Sequence, residues 1–149
     1  GCRGRRAHPR LRAQAPPQVI ALDTNVLARI LLEDEPEQAR RARRLLAEED
    51  ATFWVPVTVV LELAWVLRTS GLARQAIAGA VRGLLALPRM RFQSPDALAA
   101  AVRWGEAGMD FADALHLALS SKAERFVTFD EALVKQARKE RARPSVGAP

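Results

Sequence analysis

Short β-branched and aromatic runs alternate with longer amphipathic stretches, and that alternation restricts how this chain can fold. "VIAL" (19–22), "TFWVPV" (52–57), "RMRF" (89–92) and "RFVTF" (125–129) each read as a strand. The segments between them carry helical spacing. "NVLARILL" (25–32) ends in the acidic turn "EDEP", and Pro36 then opens a helix with Ala39, Ala42, Leu45 and Leu46 on its inner side. "VTVVLELAWVLR" (57–68) runs to a stop near Gly71, and the next helix presents Ile77, Ala80, Val81, Leu84 and Leu85 as one stripe. "SPDALAAAVRW" starts with Ser94 as N-cap, Pro95 at the first helical position and Asp96 in the first turn. "MDFADALHLALSSKA" and "DEALVKQARKER" complete the helices. Strand–helix alternation of this kind predicts an α/β fold, with a central, mainly parallel sheet of four or five strands flanked by helices.

With 149 residues, 49% hydrophobic and 27% charged, the chain suits one soluble domain with a sizeable core. Its apolar runs fall well short of the roughly 20 residues that a membrane span requires. Cys2 is the sole cysteine and His8 and His116 the only histidines, which excludes a disulfide framework and a Cys- or His-based metal centre. A reducing cytoplasm is the expected location. The formal charge of +6 is terminal in origin. Five Arg and no acid lie in residues 1–18, and residues 135–149 hold five basic groups against Glu140, leaving 13 basic and 16 acidic residues between 19 and 134. The expected organisation is a disordered basic extension over 1–18, a domain over 19–140 and a flexible tail over 141–149. The packed sequence begins abruptly at Val19, which is read as the natural start, encoded by an alternative start codon.

Four carboxylates stand in places that call for an explanation. Asp23 directly follows the first strand and Asp130 the last, and ligands of parallel sheets bind at the carboxyl ends of strands. Asp113 lies in the first turn of a helix that Asp110 caps. Asp23 and Asp130 each have an alternative reading as simple N-caps. Glu62 has none, since it sits mid-helix with Thr58, Val59, Trp65 and Val66 as its helical neighbours. That pattern predicts a carboxylate with no polar face to escape to, at a cost of at least several kcal/mol if unpaired. Convergence of Asp23, Glu62, Asp113 and Asp130 on a shared cation accounts for all four, and an all-oxygen site suits Mg²⁺ or Mn²⁺.

"VIALDTNVLARILL", "VPVTVVLELAWVLR", "MDFADALHLA" and "RFVTFDEAL" resemble the four acidic motifs of PIN-domain ribonucleases, and most of all those of VapC-type toxins from toxin–antitoxin pairs. The resemblance covers residues 19 to about 138. It implies a PIN-like fold in which Asp23, Glu62, Asp113 and Asp130 are the catalytic, metal-holding acids, with Asn25 and Thr128 as supporting polar residues. It implies a metal-dependent endoribonuclease, with RNA as substrate, a cognate antitoxin as partner and a homodimer as the assembly. The end of the chain departs from the pattern, because "RARPSVGAP" offers no convincing fifth strand.

Three rival readings compete with this one. A haloacid-dehalogenase-like phosphatase needs an acid two positions after Asp23, where this chain has Asn25. A catalytically inactive PIN-like module that binds RNA or protein is the alternative from another class, and it is expected to have lost acids. A helical interaction protein does not explain Glu62. Arg40, Arg41, Arg43 and Arg44 read as a solvated helix face ahead of an RNA-tracking one. Trp65 and Trp104 read as core or interface residues ahead of base-stacking platforms, and His116 as a packed or supporting residue ahead of a catalytic base.

Overall fold

A computed structural model describes residues 18–48 and 50–149. The expected basic extension and the start at Val19 concern a segment that lies, but for Gln18, outside the described residues. The elements follow one another as β1 (Gln18–Ala21), α1 (Thr24–Leu32), α2 (Pro36–Leu46), β2 (Ala51–Val55), α3 (Val57–Thr69), α4 (Arg74–Leu85), β3 (Met90–Phe92), α5 (Pro95–Glu106), α6 (Phe111–Leu119), β4 (Arg125–Val127), α7 (Glu131–Lys139) and β5 (Ser145–Gly147). The alternating pattern therefore produces the expected α/β architecture with parallel pairing throughout.

The strands divide differently from expectation. β1, β2 and β3 form one three-stranded sheet in that order, while among the described residues β4 pairs only with β5. Ile20 lies opposite Phe53, and Phe53 opposite Met90, which stacks the apolar residues of the first sheet in register. The segment expected to be a tail after residue 140 carries the fifth strand. Val146 is its anchor: it is buried, pairs with Phe126 and packs into the core, a single apolar contact too brief to show as a period in the sequence.

Local chemistry explains where the helices begin. Pro36 and Pro95 stand at first-turn positions, where the missing N–H costs nothing. Asp110 caps α6 by accepting from the N–H groups of Ala112 and Asp113. Asp130 caps α7 by accepting from Leu133 N–H. Ser94 departs from its expected role, because its backbone is left-handed at φ 54° and its side chain makes no capping bond.

Between the sheet and the helices lies one continuous core that includes Phe53, Leu63, Leu67, Leu98 and Leu115. The tightest helix approach is at Gly105 on α5, where an added Cβ would come within 2.9 Å of Ala78 Cβ on α4. Arg82 and Glu106 clamp the same pair of helices with two hydrogen bonds of 2.7 Å. Among the described residues no helix is long and apolar enough to cross a membrane.

Candidate active site

The helix that carries Glu62 turns out to have a polar face. Val60, Leu63, Ala64 and Leu67 are buried, whereas Thr58, Glu62, Trp65, Arg68 and Thr69 form an exposed stripe at helical spacing. Trp65 is 65% exposed, so counting it among the inward residues is what made the helix look closed on all sides. Glu62 is accordingly an exposed carboxylate and not a buried one. Its partner is neither Arg nor Lys but a hydroxyl: Thr24 Oγ1 donates to Glu62 Oε2 at 2.8 Å.

Thr24 joins two of the acids. It is 5% exposed, and its own N–H donates to Asp23 Oδ1 at 2.9 Å. Asp23 thus caps α1 at the carboxyl end of β1, while the buried threonine beside it reaches across to α3. One residue fixes both carboxylates. The sequence reading passed over Thr24, although a hydroxyl directly after a strand-end acid was a usable signal.

A second group of acids forms around the start of α6. Asp113 is half-buried and its carboxyl is held above the usual aspartate value, first by burial, then by the charges of Asp110 and Asp130. The charges of His116 and Arg74 act in the opposite direction. Asp110 is steadied by Arg68, whose Nη1 donates to Oδ2 at 2.7 Å. Thr128 supports Asp130 by accepting from its N–H at 3.0 Å. Asn25 is exposed and faces a separate groove lined by Val26, Arg29, Gln38 and Arg41. Neither Arg68 nor Arg74 was anticipated from sequence.

Glu62 and Asp110 line one cavity of about 420 Å³, bounded also by Trp65, Arg68, Arg74 and His116. His116 is exposed there, not packed. Trp104 is partly buried against the core, as expected, and the arginines of α2 lie on its solvated face, Arg40 pairing with Glu37 and Arg43 with Glu33.

The donor chemistry is that of a hard divalent cation, being carboxylate oxygen throughout. As placed, no three His, Cys, Asp or Glu side chains among the described residues stand close enough to grip one ion. Thr24 ties Asp23 to Glu62, and Asp113 feels the charges of Asp110 and Asp130. The carboxyl of Asp113 is raised mainly by burial, and the neighbouring acids of its group add to that.

Searches among curated proteins and among solved structures return no match. The model of the PIN domain family matches residues 20–139, from within β1 to the last residue of α7 and including all four acids, and the chain belongs to that family of nuclease-type domains.

Proposed function

We propose that this chain is an Mg²⁺- or Mn²⁺-dependent endoribonuclease, acting as the toxin of a toxin–antitoxin pair. The observation that carries the reading is the arrangement of acids: Asp23 and Asp130 follow β1 and β4, Asp113 lies in the first turn of α6 and Glu62 on α3, with Thr24 tying Asp23 to Glu62 and burial, then neighbouring acids, raising Asp113. Asp23, Glu62, Asp113 and Asp130 would hold the ion, which when bound polarises the phosphate and makes an attacking hydroxide available near neutral pH. The chain's own part is positional. Thr24 holds Glu62 through its hydroxyl and Asp23 through its N–H, and Thr128 holds the loop of Asp130 by accepting from its N–H. Arg68 neutralises Asp110, so that this acid serves as cap and brace to α6.

A partner antitoxin would occlude the cleft with a basic side chain that compensates the carboxylates. The proposed homodimer forms through the region of α3 and α4, where Gly79 and Gly83 stand exposed with open space above them.

RNA hydrolysis with Mn²⁺ present or chelated tests the activity. Purified protein should cut single-stranded RNA only with the metal, and Asp23→Asn should lower kcat on the order of 100-fold or more. Expression should arrest growth, and the same substitution should relieve the arrest. Metal-independent cutting, or an active Asp23→Asn protein, would refute the proposal.

A further inference from the structure

The cavity beside Glu62 carries a combination that the carboxylate chemistry does not use. Trp65 is 65% exposed at its edge, two turns of α3 bring Thr58, Leu61 and Glu62 to the same wall, and Phe111 and Ile77 supply an apolar floor. Arg68 and Arg74 stand on the rim. Arg68 has one nitrogen engaged by Asp110, and Arg74 has one engaged by the carbonyl of Gly108 at 3.2 Å. A guanidinium has five N–H donors, so both retain several directed toward solvent. An exposed indole ordinarily costs free energy to keep in water, and Trp65 leaves 65% of its surface there.

We infer that this groove is a nucleotide subsite: Trp65 stacks one RNA base, and Arg68 and Arg74 take the adjoining phosphate. The occupant follows from three features of the groove. Its volume of about 420 Å³ is at the small end of ligand pockets, suited to one nucleoside and not to a helix. It pairs an aromatic face with cations, the combination that grips single strands. It also contains Glu62, so a nucleotide in it lies next to the proposed hydrolytic site. Trp65 is then the residue that places the RNA and shapes base preference, with no part in the bond-breaking step. The inference rests on the ribonuclease reading.

Binding of fluorescent RNA oligonucleotides to Asp23→Asn protein with Mn²⁺, followed by anisotropy, separates the two. Against that background Trp65→Ala should weaken binding by about 5- to 150-fold, and Trp65→Phe should keep most of it. Scanning an abasic site along the oligonucleotide should find one position where Trp65→Ala costs nothing further. If the Asp23→Asn protein binds RNA and Trp65→Ala binds equally well, the subsite is wrong and the ribonuclease survives. If Trp65→Ala leaves RNA binding intact but converts a dimer to a monomer in sedimentation, the groove belongs to a second copy of the chain. If neither the parent nor the Asp23→Asn protein binds or cuts any RNA, both readings fall together.

Discussion

At the scale of single residues, Asp113 shows how the site's charge bears on stability. Its carboxyl is held above the ordinary aspartate value by burial and by two neighbouring acids. A helix N-terminus favours a charged acid by about 0.3–1 kcal/mol, so burial and repulsion outweigh that help. In a group so shifted, the folded state binds the proton more tightly than the unfolded chain does. The stability it contributes is therefore complete below the ordinary aspartate pKa of about 4 and is lost as pH rises through the raised value. Asp113→Asn removes that loss. Measured by thermal denaturation in chelator, the variant should match the parent near pH 3 and exceed it by roughly 1–3 °C at pH 7. A variant that melts lower at neutral pH would contradict the charge-starved picture. Glu62 teaches the complementary lesson about legibility. Its position among Leu, Val and Trp made it look enclosed, but the sequence does not record which side of α3 faces solvent. One exposed tryptophan reversed the inference of burial. Thr24 stayed hidden because its contact spans 38 positions in sequence and depends on how α1 leans on α3.

Helix and strand identities were largely readable, because each is written in local spacing: Pro36 and Pro95 at helix starts, Asp110 as a cap, alternate apolar residues opposite one another in β2 and β3. Contacts between elements were not. Gly79 and Gly83 of α4 both face open space, and the close helix crossing is made by Ala78 against Gly105. The crossing yields a test of element packing. Gly105→Ala should gain up to about 1 kcal/mol of helix propensity. The new methyl meets Ala78 Cβ at 2.9 Å, below any normal contact, and neither atom has a rotamer by which to retreat. Overpacking costs typically 1–3 kcal/mol, so the clash should win and the variant should lose about 1 kcal/mol in urea denaturation. Ala78→Gly in the same chain should restore part of the loss to the double variant. An increase in stability for Gly105→Ala alone would mean that α4 and α5 separate freely. The same distinction accounts for the strands: Val146 is the one buried residue of β5, too short a signal for periodicity to reveal.

For the molecule as a whole, the division of the sheet sets what can move. β4 and β5 pair only with each other, and two-stranded sheets are marginal by themselves. What holds this unit is the burial of Leu133, Ala137, Ala142 and Val146, together with Gln136 Nε2 donating to the carbonyl of Ala107. Phe129, just after β4, is 88% exposed, and on the other side of the division β1 is one edge of the three-stranded sheet with Val19 69% exposed. Asp23 belongs to one sheet and Asp130 to the other, so a cation shared by all four acids would have to bridge them. Its binding should therefore stabilise one part more than the rest. At a free Mn²⁺ concentration 100 times the dissociation constant, mass action contributes about 2.7 kcal/mol, which corresponds to roughly 5–10 °C in Tm for a chain of this size. Native-state hydrogen exchange should show where that stabilisation acts. Without metal, amides of Phe126, Thr128 and Val134 should exchange through openings of lower free energy than those of Phe53 and Val55. With Mn²⁺ the first group should slow by more than the second, and Asp130→Asn should abolish the difference. Uniform protection across both sheets, unchanged by the metal, would show that β4, α7 and β5 are bound to the core as firmly as β2 and that no ion spans the division.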